Sequence, residues 1–163
     1  MHDPLTELLS LSLTSKASLM AINFENTGSP LTAAQIRALE RKLGASLPED
    51  YKQFLRETNC GRPPETALCV PVAEEEVLVD FLFGLGREPG ISEWLTELRR
   101  DMPAGFIPIA KDPGGNIYIM DLDLHNHGVI YYWDKSHSFP TSNSEGNTYP
   151  VARSFSRFLD LLG

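Results

Sequence analysis

Apolar residues recur at helical spacing in the first third of the chain. Ile36, Leu39 and Leu43 lie three and four positions apart, which predicts one buried helix face. The pair Thr32–Gln35 forms a capping box before that face, and Gly44 suits the position after the last turn. The sequence therefore predicts both where this helix begins and where it ends.

A second helix is predicted in the stretch LPEDYKQFLRETNCG. Pro48 suits the first helical position, and Tyr51, Phe54 and Leu55 form the apolar face. The helix is expected to end at Asn59–Gly61. Only three to four residues separate it from the first helix, so the two are predicted to pack as a helical hairpin.

Two further helices are predicted nearer the C-terminus. One covers Ser92 to Arg100, with Trp94, Leu95 and Leu98 on one side. The other runs from Arg153 to Leu162, and its apolar positions follow the helical period. Those positions are Phe155, Phe158, Leu159 and Leu162.

Runs rich in Val, Ile and aromatic residues predict strands. Two are Leu68–Val72 and Val77–Leu85, and three more follow at Phe106–Ala110, Asn116–Leu122 and Val129–Asp134. The short turns between the last three predict an antiparallel meander, because parallel neighbours need long crossovers. The fold class predicted is α+β, with a central antiparallel sheet and helices packed around it.

The length of 163 residues predicts a single domain. Residues 1–29 are an N-terminal segment whose leucines fit both a short helix and a strand, and residues 30–163 form the α+β domain. The polar stretch Ser136–Asn147 is predicted to be a mobile loop.

The formal net charge of −8 disfavours direct binding of nucleic acid and favours a basic partner, although it also serves solubility. The two cysteines lack metal-binding spacing. No signal peptide and no membrane span are recognised, so a cytoplasmic location without membrane contact is expected.

The stretch KDPGGNIYIMDLDLHNHGVIYYWD contains two candidate ligand sites. Gly114 and Gly115 resemble a phosphate loop, but a strand follows them instead of a helix, so a tight turn at Asp112–Gly115 is preferred. Trp133 with its tyrosine neighbours could stack on a ligand, although packing within the sheet is favoured.

The same stretch contains a candidate metal site. Asp121, Asp123, His125 and His127 would share one face of an extended strand, so a metal-dependent enzyme is one hypothesis. The preferred interpretation is a polar hairpin tip that ends at Gly128. No nucleophile motif is found, and Cys60 has no evident histidine partner. Neither a cofactor nor a metal is therefore expected.

The strongest local charge bias is acidic. It consists of Glu74, Glu75, Glu76, Asp80 and Glu88. A solvated loop is the ordinary interpretation of such a run, and a docking patch for a basic protein is the functional one.

Several segments together resemble the SUKH superfamily, which includes yeast cell-wall assembly regulators and bacterial immunity proteins. The resemblance rests on LPEDYKQFLRETNCG, FIPIAKDPGGNIYIMDL, GVIYYWDKSHS and SFSRFLDLL, in this order between about residues 30 and 162. The motif positions are Leu47, Pro48, Tyr51, Phe54, Leu55, Asn59, Gly61, Asp112, Gly114, Gly115 and Trp133.

Two positions depart from the family pattern. Cys60 stands where the family usually has Gly. If residue 60 adopts a left-handed backbone conformation, the Cys side chain would destabilise the fold by about 1–2 kcal/mol. This cost does not arise if Gly61 takes the left-handed conformation instead. Asn116 replaces a frequent Asp, and both residues suit a turn.

The resemblance implies a non-enzymatic immunity protein that binds and neutralises a cognate toxin domain of the nuclease or deaminase type. The acidic charge of the chain predicts that this toxin is basic. The expected contacts are Glu74, Glu75, Glu76, Asp80 and Glu88, with Asp121 and Asp123 as a second group. A regulatory scaffold for protein–protein interaction is the alternative that the eukaryotic relatives suggest. Both a monomer and a homodimer remain open.

Overall fold

The computed structural model describes residues 22–64, 70–72, 75–87, 89–134 and 148–162. The predicted N-terminal segment up to residue 21 and the predicted loop Ser136–Asn147 lie outside these residues. So do Glu74 and Glu88.

The described residues contain four helices, and the first two form the predicted pair. Helix α1 spans Ala33–Leu43 and helix α2 spans Glu49–Glu57. Helix α3 spans Ile91–Glu97, and helix α4 spans Phe155–Leu162. None of the helices in the described ranges is long and apolar enough to cross a membrane.

The ends of α1 are those that the sequence predicts. The Gln35 amide donates to the Thr32 hydroxyl at 3.2 Å, and the Thr32 amide donates to the Gln35 side chain at 2.8 Å. Gly44 follows the helix in the left-handed region, with φ of 70°. Pro48 lies one position earlier than predicted, because it precedes the first turn of α2 as the N-cap residue.

Two short strands precede the main sheet. Strands β1, Val70–Val72, and β2, Glu75–Val77, pair antiparallel. The predicted continuous strand Val77–Leu85 is therefore wrong: this stretch contains the end of β2 and a separate strand, β3, at Phe81–Leu82. Glu75 and Glu76 belong to a strand, which also corrects their interpretation as loop residues.

The main sheet has five strands and contains the predicted three-stranded antiparallel meander at its centre. After β3 come β4, Phe106–Lys111, and β5, Ile117–Asp121. Strands β6, Ile130–Trp133, and β7, Thr148–Ala152, follow, and the order in the sheet is the order in the chain. This arrangement confirms the α+β class.

Strand β7 is not among the predicted elements. Its sequence, TYPVA, contains Pro150, which interrupts the pattern of a strand because proline cannot donate to a ladder. The strand lies at the edge of the sheet, and its pairing with β6 shifts register between Ile130 and Tyr131. Pro150 pairs with Tyr131 beside this irregularity, a place where proline is tolerated.

Aromatic rings join the helices to the sheet. The ring of Phe155 in α4 lies 4.9 Å from that of Tyr51 and 5.2 Å from that of Phe54, centroid to centroid. Phe158 contacts Tyr118 of β5 at 5.5 Å. All five rings are fully buried. Each such burial contributes roughly 1.5–3 kcal/mol, so this cluster holds α2 and α4 against the sheet.

The Asp50 carboxylate connects the N-termini of α2 and α4. Its Oδ2 accepts the Ser156 amide at 2.9 Å and the Ser156 hydroxyl at 3.0 Å. The Ser154 hydroxyl accepts the Arg157 amide at 3.2 Å, which caps the same helix end. The first turn of α4 therefore receives one acceptor from its own N-cap and one from a distant helix.

Asn59, and not Cys60, takes the left-handed conformation after α2. Its φ is 65°, and neither Cys60 nor Gly61 has a positive φ. The proposed strain at Cys60 is therefore absent. Gly61 is needed for a different reason, because a Cβ at this position would lie 2.9 Å from the Cβ of Phe24.

Candidate functional site

The predicted acidic patch is only partly covered by the structure. The backbones of Glu75 and Glu76 pair with Val72 and Pro71 in the β1–β2 hairpin. Glu74 and Glu88 lie outside the described residues. Whether these four residues contact a partner stays a prediction.

Asp80, the remaining member of the predicted patch, lies between two cations. Its Oδ1 is 3.6 Å from Nη2 of Arg62, and its Oδ2 is 3.5 Å from Nζ of Lys111. The backbone amide of Asp80 donates to the Lys111 carbonyl at 2.8 Å. The charge of Asp80 is therefore balanced locally, and its surroundings are basic.

The hairpin between β5 and β6 ends in the predicted polar tip. The Asp121 carboxylate is buried and accepts the Asp123 amide at 2.9 Å. Asp123 is exposed and in turn accepts the His125 amide at 3.0 Å. Gly128 follows with φ of 94°. Two successive aspartate turns therefore shape the tip.

The four side chains proposed as metal ligands are not brought together. The Asp121 and Asp123 carboxylates accept backbone amides, and Nε2 of His127 lies 2.8 Å from the Ser46 carbonyl oxygen. Across the described ranges, no three His, Cys, Asp or Glu side chains are grouped closely enough to hold a metal ion. The metal-enzyme hypothesis therefore has no geometric support.

The hairpin tip also presents an exposed leucine. Leu124 is 91% exposed, the highest value among the large exposed apolar side chains of the described residues. Its neighbours Asp123, His125 and Asn126 are exposed as well. The sequence analysis did not select Leu124, although an apolar residue within a predicted polar turn was a visible signal. Such a residue is available for contact with a partner.

The Asp112–Gly115 segment is a hairpin turn, as predicted. The Asp112 amide donates to the Asn116 carbonyl at 2.9 Å, and Gly115 has a φ of 89°. The buried Asp112 carboxylate accepts the Asn116 amide at 2.8 Å and the Tyr132 hydroxyl at 2.6 Å. Burial raises the pKa of Tyr132, and its hydrogen bond to Asp112 raises it further. The Asp112 carboxylate thus stabilises the hairpin turn through these two hydrogen bonds.

The aromatic residues of β6 belong mainly to the core. Trp133 is 2% exposed and Tyr132 is 6% exposed. Tyr131 is partly buried against the core, and the centroid of its ring lies 6.1 Å from that of the Phe106 ring. This arrangement confirms packing over an open ligand platform.

The Asn59 side chain joins the end of α2 to the segment after β3. Its Nδ2 donates to the Leu85 carbonyl at 2.7 Å, and its Oδ1 accepts the Leu85 amide at 2.9 Å. A Cβ at Gly84 would lie 2.3 Å from Oδ1 of Asn59, so this position must remain glycine. The remaining helix motif residues, Leu47, Tyr51, Phe54 and Leu55, are buried.

The helical hairpin, the Asn59 contact, the tight Asp112 turn and the antiparallel meander define an α+β protein. A family model described as the SMI1/KNR4 family (SUKH-1) matches residues 30–161, and the chain belongs to this family. The chain is also similar to the SPbeta prophage-derived uncharacterized protein YokK of Bacillus subtilis (strain 168). The two are 27% identical over 146 residues, which cover 78% of this chain and 72% of that protein.

Proposed function

We propose that this chain is a non-enzymatic immunity protein that binds a cognate toxin domain in the cytosol and blocks it. The observation that carries the proposal is the SMI1/KNR4 (SUKH-1) match over residues 30–161, since SUKH proteins are commonly immunity proteins. The toxin would be of the nuclease or deaminase type. Inhibition by occlusion requires a rigid complementary surface and no catalytic group.

The proposed contact surface combines the acidic residues of the β1–β2 hairpin region with the β5–β6 tip. Glu75 and Glu76 of β2 would supply negative charge, as would Glu74 and Glu88, which are acidic neighbours in the sequence. The net charge of −8 would attract a basic toxin at long range. Asp123 and Leu124 are exposed and supply contacts at the tip. Asp80 and Asp121 contribute less, because the first is paired and the second is buried.

The test uses a toxin domain encoded beside this gene, expressed with and without the chain. We expect co-expression to restore growth, and Glu75→Lys with Glu76→Lys to weaken binding about tenfold or more and to reduce its dependence on salt. The matched control is Glu97→Lys, a charge reversal at an exposed residue of α3.

Equal binding and equal salt dependence in both variants would exclude the acidic contact surface. Failure of the unaltered chain to restore growth with any adjacent toxin would exclude the immunity function itself. The growth assay also separates the proposal from a regulatory scaffold, because a scaffold would bind its partner without suppressing toxicity.

A further inference from the structure

A small basic pocket lies beside strand β3. Its cavity is about 190 Å³, and three of its six lining residues carry positive charge. The lining consists of Arg62, Phe81, Phe83, Arg87, Pro89 and Lys111. In a chain with a net charge of −8, such a cluster of cations requires an explanation.

The backbone places three of these residues in one row. Gly61 bridges Leu82 in antiparallel orientation, so Arg62 lies opposite Phe81, and Phe81 pairs with Lys111 of β4. Residues directly opposite one another in an antiparallel ladder project to the same face. The two cations therefore stand on either side of the Phe81 ring at a spacing set by the strands.

The third cation, Arg87, is held in place by contacts with Asn26, with the Phe81 ring and with the Cys60 side chain. Its Nη1 donates to the Asn26 carbonyl at 2.6 Å, and its Cζ lies 5.8 Å from the centroid of the Phe81 ring. A guanidinium over an aromatic face is attracted by the ring and loses little further freedom when it binds an anion. Arg87 is therefore positioned in advance over the apolar floor.

The carboxylates in the described surroundings balance these three cations only in part. Asp80 contacts Arg62 and Lys111 at 3.6 and 3.5 Å, longer than the roughly 2.7–2.9 Å of a charge-assisted hydrogen bond. The neighbouring Asp112 carboxylate is occupied by Asn116 and Tyr132. The described charges near the pocket are three cations and two carboxylates, those of Asp80 and of Glu25, which bridges Arg62 on the side away from Phe81. One positive charge remains in excess for another acceptor.

We propose that this pocket binds a small oxyanion, a carboxylate or a phosphate group, between Arg62, Arg87 and Lys111. Guanidinium groups match both anions with paired N–H donors, and the ammonium group of Lys111 adds a point charge. The Phe81 and Phe83 side chains close the apolar side and exclude water from one face of the anion. The site does not depend on the proposed toxin.

The experiment titrates the full chain with inorganic phosphate and, separately, with succinate, at constant ionic strength set by NaCl. Binding is followed by calorimetry and by amide chemical shifts. We expect saturable binding with shifts concentrated at Arg62, Phe81, Arg87 and Lys111. Tighter binding of phosphate or of succinate identifies which of the two sources supplies the anion.

The variants separate a binding site from a structural ion pair. Lys111→Gln is expected to weaken anion binding about fivefold, and Asp80→Asn to tighten it by a similar factor, because Asp80 competes for the same donors. Arg41→Gln, at an exposed cation on α1, is expected to change nothing. Unfolding midpoints verify that each variant is folded.

Two results would overturn the proposal. One is the absence of saturable binding of either probe up to about 10 mM, an affinity too weak for a specific site. The other is binding that Lys111→Gln and Asp80→Asn leave unchanged, which would identify adventitious association with the surface.

Discussion

At the scale of single residues, Asn59 combines two roles that few side chains can fill. It takes a left-handed backbone conformation with φ of 65°, which asparagine tolerates better than most residues. Its buried amide also pairs with both backbone groups of Leu85. Glycine could fill only the first role and alanine neither. Comparing the stabilities of the glycine and alanine variants at position 59 therefore tests the two roles separately.

We expect Asn59→Gly to lower the free energy of unfolding by about 2 kcal/mol, since two partly buried backbone groups of Leu85 lose their partner. Asn59→Ala should lose about 1 kcal/mol more, because alanine adds left-handed strain. Denaturant unfolding measures both values. The control is Asn26→Gly, at an exposed left-handed residue, which should be nearly neutral. Equal stabilities of the two Asn59 variants would contradict the conformational part of this account.

At the scale of elements, Asp50 stabilises a helix to which it does not belong. We expect Asp50→Ala to lower the free energy of unfolding by about 2 kcal/mol, because the Ser156 amide and hydroxyl lose their acceptor. Denaturant unfolding again supplies the measurement. Glu49→Ala is the matched control, since Glu49 lies in the same first turn of α2 and forms exposed ion pairs with Lys52 and Arg56.

Glu49→Ala should cost less than about 1 kcal/mol, because exposed ion pairs contribute little. Equal losses for the two variants would mean that Asp50 acts only on the dipole of its own helix. Losses of the predicted sizes would show that Asp50 connects α2 to α4.

The predictable elements are those whose signals are local. The capping box at Thr32, the left-handed Gly44 and the short turns of the meander all depend on residues a few positions apart. Strand β7 escaped prediction because Pro150 conceals an edge strand, and β2 because glutamates are unusual in strands. The Asp50–Ser156 contact joins residues 106 positions apart, so no local pattern reveals it.

Much of the candidate site also could not be predicted from neighbouring residues in the sequence, because its contacts join distant segments. The sequence placed Asp80 in an acidic patch, since its acidic neighbours lie close along the chain. The fold instead places it between Arg62 and Lys111, which come from segments distant in sequence. The rejection of a phosphate loop at Gly114 and Gly115 was predictable, because a strand follows these residues directly.

At the scale of the whole molecule, buried tyrosines make the free energy of unfolding depend on pH in the alkaline range. Burial raises the pKa of Tyr51, Tyr118 and Tyr132 above the ordinary value. The folded state thus favours the neutral phenols. Their contribution to stability is complete below the unfolded pKa of about 10 and is lost as pH rises toward the folded values.

We therefore expect only part of the five tyrosines to ionise in the folded protein near pH 11, and all of them in concentrated urea. Phenolate absorbance measured across the pH range in both states tests this. The free energy of unfolding should fall over the same pH range. Ionisation of all five near pH 10 in the folded protein would contradict the described core.

The central claim is that the chain neutralises a toxin by binding it and not by modifying it. The most direct measurement is a titration of the activity of the purified adjacent toxin domain with the purified chain, at a toxin concentration well above the dissociation constant. The account predicts that activity falls linearly and vanishes near one chain per toxin, with active toxin recovered when the complex is dissociated. Complete inactivation by substoichiometric chain, or no loss of activity at excess chain, would contradict it.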